Sequence, residues 1–165
     1  MRLLYVTSNS LPSRIIRGID GGPASHVGIE SPLRPGEVID ATWLHGGVTI
    51  GQRDDWLQMD GRRLVLELDV PLPGEAAAMS WAVDQLGKPY DTSALLGMAI
   101  LRDWQDDRRW YCSELAIAAC LAGGMSLAGK RGELGVRLSM EIAHAWALGR
   151  DVTLNPSRYA VDGRA

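Results

Sequence analysis

The sequence is sparing with the side chains that most often carry chemistry: it has two cysteines, Cys112 and Cys120, and three histidines, His26, His45 and His144. No Cys-x-x-Cys pair occurs and no two histidines stand at the i, i+4 spacing of a helical metal pair, so the residues imply no zinc site and no cofactor. Basic residues are not in excess. Seventeen Lys and Arg against 20 Asp and Glu leave a net charge of −3, without the basic stripe that a nucleic-acid partner needs. The arginine pairs Arg62-Arg63 and Arg108-Arg109 have aspartates close by and read as solvated surface. No apolar run reaches the roughly 20 residues of a membrane span. Ala94 to Leu101 is too short, and Leu115 to Gly129 is broken by Gly123-Gly124 and Ser126. The apolar start turns polar at Thr7-Ser8-Asn9-Ser10, too early for a secretory signal, so the expected location is cytoplasmic or open. Repeats, low-complexity tracts and linkers are absent, which predicts a single domain over 1–165.

The N-terminal half reads as strands and loops. Short strands are expected at Leu3 to Val6, His26 to Glu30, Glu37 to Thr42 and Gly47 to Ile50, with a turn over Ser31 to Gly36. Arg63 to Val70 alternates most cleanly. Pro12 to Arg17 predicts a helical turn near a Ser10 or Ser13 cap, and Gly21-Gly22-Pro23 breaks the chain after it. The C-terminal half reads as helices over Gly74 to Leu86, Thr92 to Trp104, Cys112 to Ala122 and Ser139 to Leu148, then an irregular tail or last strand over Val152 to Val161. Strands followed by helices predict an α+β protein.

Cys112 opens its helix within Trp110-Tyr111-Cys112-Ser113-Glu114-Leu115. First-turn N–H groups and the positive dipole end favour thiolate over thiol, and the same N–H groups suit an oxyanion. The competing reading is a packing cysteine, the common fate of a free thiol. Cys120 lies deeper among Ala118, Ala119 and Leu121 and reads as packing. On one helix the two Cα atoms stand about 12 Å apart, beyond the roughly 7 Å limit of a disulfide, so both are expected as free thiols. Among possible bases, His26 starts a strand beside Gly28, where a missing side chain leaves room for a neighbour. His45, before Gly46-Gly47, reads as a turn residue, and His144 as packing or surface. Asp40 sits between Ile39 and Ala41 in the next strand. It faces His26 if the two strands are antiparallel neighbours; otherwise it is an exposed strand-edge carboxylate.

Together these motifs resemble the NlpC-type cell-wall peptidases. That family has a Gly-x-Pro-Tyr segment, here Gly87-Lys88-Pro89-Tyr90, before a Cys-Ser pair opening the main helix, here Cys112-Ser113. Its histidine lies in a His-Val-Gly-Ile strand, here His26 to Ile29, and its third polar residue just before an alanine, here Asp40-Ala41, with Gly47-Val48 following. His26 precedes Cys112, the reverse of the usual order. The arrangement is similar to the circularly permuted branch, the YiiX/YaeF-like papain-fold amidases and the lecithin retinol acyltransferase group; Asp91 and Glu114 also look like that branch. The likeness runs from about Ser25 to Gly124.

The resemblance implies a permuted papain-like fold, with a small antiparallel sheet or half-barrel against helices, and a catalytic triad of Cys112, His26 and Asp40. Asp40 departs from the Glu or His that relatives often carry. Tyr90, with Tyr111 and Ser113 flanking the cysteine, is implied at the substrate and oxyanion side, and residues 91–109 as a lid or groove wall. The implied function is a cysteine amidase or thiol peptidase working through a thioester, with a cell-wall peptide or similar amide as substrate. Two alternatives stand beside it. One is a thioesterase or acyltransferase on lipid amides or esters, with Ala94 to Leu101 lining an acyl groove. The other is an inactive, phage-associated binding protein.

Overall fold

The computed structural model describes residues 1–20, 22–92 and 108–125. Expectations for the 94–104 helix region, the 139–148 helix with His144, the lid over 91–109 for the most part, and the 152–161 tail lie outside the described residues. Within them the protein is mixed α/β, with one five-stranded antiparallel sheet and four helices.

The strands are β1 (Arg2–Thr7), β2 (His26–Ser31), β3 (Arg34–Thr42), β4 (Gly47–Gln52) and β5 (Arg63–Asp69), in the sheet order β4-β3-β2-β1-β5. The helices are α1 (Leu11–Asp20), α2 (Arg53–Gln58), α3 (Glu75–Val83) and α4 (Cys112–Ala122). Thus α1 extends the helical turn expected over Pro12 to Arg17, and α2 adds a helix where the sequence suggests only loop. The turn expected over Ser31 to Gly36 shrinks to Pro32-Leu33, because β3 begins at Arg34 and pairs it with Ser31. The strand with the cleanest alternation, β5, is an edge strand whose Leu64 and Val65 are exposed, so its alternation marks pairing more than burial.

Alternation across the sheet builds two cores. Leu3, Tyr5, Val27, Ile29, Ile39 and Ala41 point to the face covered by α3 and α4. Leu4, Val6 and Val38 point to the other face and bury Trp56 of α2. Fully burying each Leu, Ile or Val contributes about 1.5–3 kcal/mol, so the larger core dominates the hydrophobic stabilisation. Helix α4 is apolar on all sides, and every residue from Cys112 to Cys120 is buried. It stops at Gly123-Gly124, where Gly124 is left-handed (φ 84°) and the Met125 N–H returns to the Cys120 carbonyl at 2.9 Å. No helix among the described residues is long and apolar enough to cross a membrane.

Candidate active site

β2 and β3 form the antiparallel hairpin that the Asp40 argument required. Ile29 pairs with Ile39, so Asp40 falls beside Gly28, on the same face as His26. The Asp40 carboxylate Oδ2 lies 2.6 Å from His26 Nε2. Asp40 is only 2% exposed, so the strand-edge alternative does not hold. Nε2 is engaged by Asp40, and the Cys112 sulfur lies near enough for its electrostatics to act on the same ring. Imidazole, carboxylate and thiol therefore come together from β2, β3 and the mouth of α4.

The ring meets groups from both faces of the sheet: Cys112 on the α4 side, and Trp56, with ring centroids 5.9 Å apart, on the α2 side. Burial alone would drive the imidazolium to lose its proton. The neighbouring Cys112 sulfur and the Asp40 carboxylate outweigh that and hold the His26 pKa up to about 9. Asp40 is likewise penalised by burial. Its hydrogen bond to His26, with support from Trp56 and Arg62, more than compensates, and its pKa falls below the ordinary 3.8. The pair is thus arranged to stay charged at neutral pH.

Cys112 is the first residue of α4. The first intrahelical bond runs from the Leu115 N–H to the Tyr111 carbonyl at 3.0 Å, so the Cys112 N–H has no acceptor within the helix. The Glu114 carboxylate accepts the Tyr111 N–H at 3.3 Å and fixes the entry of the chain into the helix. Both cysteines are free thiols, as expected. Burial pushes the Cys120 thiol up to about 12, so it stays protonated and inert at neutral pH.

Gly87 to Tyr90 is stitched to the start of β4. The Val48 N–H donates to the Lys88 carbonyl at 2.9 Å, and the Tyr90 N–H to the Gly46 carbonyl at 3.0 Å. A Cβ on Gly47 would collide with that Lys88 carbonyl, which accounts for glycine there. The segment brings Tyr90 against Tyr111, with ring centroids 5.7 Å apart, and close enough to Cys112 to feel its charge. Burial first, then the neighbouring sulfur, raise the Tyr90 hydroxyl pKa well above its usual value, so it remains a donor. Tyr111 and Ser113 are buried, one on each side of the cysteine. His45 lies in a 3-10 turn (Trp43–His45) ended by left-handed Gly46, as a turn residue should.

Three partners of Asp40 escaped the sequence reading. Trp56 Nε1 donates to Oδ2 at 2.7 Å, Thr49 Oγ1 donates to Oδ1 at 3.3 Å, and Arg62 Nη2 stands 3.6 Å from Oδ2. Arg62, read as solvated surface, is instead half-buried, its side chain 6% exposed; Arg63 beside it is exposed, because adjacent residues entering a strand point opposite ways. The neighbour for which Gly28 leaves room is Trp56. A Cβ at Gly28 would stand 2.7 Å from Trp56 Cζ2 and 2.6 Å from Val38 Cγ1. The signal available in the sequence was Asp40 itself: a carboxylate buried between two apolar residues needs several donors.

No group of three or more His, Cys, Asp or Glu among the described residues is placed to hold a metal ion. No family model, curated protein or solved structure matches the chain.

Proposed function

We propose that the protein is a cysteine hydrolase with a permuted papain-like fold, in which Cys112 is the nucleophile, His26 the general base and acid, and Asp40 the group that orients the imidazole. The observation that carries this reading is the convergence of the three side chains, with His26 hydrogen-bonded to Asp40 and within electrostatic reach of Cys112. The neighbouring sulfur and the Asp40 carboxylate hold His26 in its protonated form at neutral pH, ready to give a proton to a leaving group. The sulfur attacks the carbonyl carbon of an amide or ester, and the carbonyl oxygen becomes an oxyanion. The Cys112 N–H is placed to receive it, with the Tyr90 hydroxyl as a further donor. Buried Tyr111 and Ser113 flank the nucleophile on either side. As the carbonyl re-forms, His26 gives its proton to the departing amine or alcohol. Water then attacks the thioester, returns a proton to His26, and releases the carboxylic acid.

A peptide-like amide of the cell wall is the substrate class that the motif resemblance favours. One observation speaks for acyl esters or thioesters instead: Trp43 and Leu44, exposed in the turn that follows the Asp40 strand, offer apolar surface. The two are separated by incubating the protein with muropeptide fragments and, in parallel, with short acyl thioesters, and weighing the intact chain by mass spectrometry. An acyl adduct on Cys112 from one series identifies the substrate class. Adducts confined to Cys120, or no adduct and no turnover from either series, would overturn the assignment of Cys112 and leave a binding protein.

A further inference from the structure

We propose that Arg62 is a positioning residue of this site, whose buried guanidinium keeps the Asp40 carboxylate ionised and aimed at the His26 ring. The inference rests on the cysteine-hydrolase reading and concerns a residue that never needs to touch substrate.

The geometry is specific. Arg62 follows a tight turn at Met59–Gly61, which its own N–H closes onto the Met59 carbonyl at 3.1 Å. Asp60 in that turn is left-handed (φ 56°), and its carboxylate accepts a hydrogen bond from Ser8 Oγ at 3.1 Å. Backbone strain of this kind persists where the surroundings hold it. From this anchor the guanidinium lies over the Trp56 ring, 4.6 Å from its centroid, and donates to the Trp56 carbonyl at 3.2 Å. It reaches Asp40 Oδ2 at 3.6 Å. A single stretch between β4 and β5 therefore delivers both Trp56 and Arg62 to one carboxylate oxygen, from the face opposite α4.

The charges that bear on the pair are few. Arg62 faces Asp40 from β3, Cys112 from α4 and Asp60 from its own turn. Asp40 faces His26 from β2, Thr49 from β4, Trp56 from α2 and Arg62. Arg62 is thus a cation within electrostatic reach of both Asp40 and the Cys112 sulfur. Arginine suits the place because it holds its proton when buried and stacks on an aromatic ring. A buried carboxylate that loses its cation is left uncompensated.

The test needs no substrate. The rate of iodoacetamide addition to Cys112, read by peptide mass spectrometry at pH 5 and pH 8, is compared in the wild type, Arg62→Gln and Arg62→Lys, with thermal melts to report folding. Losing an opposite charge at this range shifts a titration by about one unit or more. The pH 5 to pH 8 rate ratio should therefore fall about tenfold in Arg62→Gln. Arg62→Lys should restore most of it. The Asp40 carboxyl carbon, followed by NMR, should titrate at higher pH in Arg62→Gln than in the wild type. A folded Arg62→Gln with the wild-type ratio and an unmoved Asp40 overturns the proposal. If that variant does not fold, Arg62→Lys decides alone: a ratio near wild type supports the role of the charge, and a tenfold loss despite the retained cation overturns it. A wild type in which Cys112 reacts no faster than an ordinary exposed thiol at pH 5 would instead sink the hydrolase reading beneath it.

Discussion

Cys112 and Cys120 share a helix, a core and a near-total lack of exposure, yet their surroundings prepare them for opposite fates. Cys112 stands in the first turn, beside an imidazole held by a carboxylate. Cys120 stands two turns further in, among apolar side chains, where burial outweighs the nearby N-terminal ammonium and pushes its thiol up to about 12. On the proposed reading, burial is therefore not what separates a reactive thiol from a structural one. The distinction lies in whether the helix end and a polar partner are within reach.

The largest expected break in this comparison is replacement of each cysteine in turn. Cys112→Ala should lower turnover by about four orders of magnitude, as loss of a nucleophile does, while leaving the melting temperature little changed. Cys120→Ala should keep turnover within a fewfold and cost about 1 kcal/mol of stability, measured by urea unfolding. Asp40→Asn comes next, with a loss of about 10²-fold in turnover, since the hydrogen-bonding shape survives and the charge does not.

pH sharpens the same contrast. Hydrolysis should decline as pH rises through about 9, where His26 loses the proton it must give to the leaving group. Stability follows the sign of each shift. His26, raised from 6.5 to about 9, contributes stability that is complete below pH 6.5 and is lost as pH rises through about 9. Asp40, lowered from 3.8, contributes stability that is complete above that value and is lost as pH falls through its depressed folded pKa. Melting temperature against pH, with Asp40→Asn as the control, checks both limbs. Cys120 should stay unmodified by iodoacetamide throughout the neutral range.

Smaller effects test the far side of the sheet. Gly28→Ala would place a methyl 2.7 Å from Trp56 Cζ2, and overpacking there should destabilise by about 1–3 kcal/mol while reducing turnover. Trp56→Phe removes the N–H that donates to Asp40 at 2.7 Å and should cost about 1.5–3 kcal/mol, the range for a hydrogen bond to a charged group.

The His26, Asp40 and Cys112 positions were legible in the sequence because each lies in a local pattern: a short alternating strand, a carboxylate flanked by apolar residues, a thiol before an apolar helical run. Trp56 and Arg62 were not. Helix α2 is six residues long, its Gln52 cap position makes no side-chain hydrogen bond, and its first turn is charged, so nothing in it has the period of a packed helix. Arg62 sits beside an exposed Arg63, and two adjacent arginines with nearby aspartates look alike until the strand direction assigns one inward and one outward. Long-range pairing was similarly hidden: the placement of β1 between β2 and β5 joins strands far apart in the chain, and no local spacing encodes it.

Because α2 packs on the sheet face opposite α4, Trp56 and Arg62 reach Asp40 from a different layer than the helix that carries Cys112. Leu57 and Met59 pack around Trp56 on that far side. Substitutions there would retune the acidity of the centre like a dial behind a panel, shifting its working pH without touching the helix that bears the thiol.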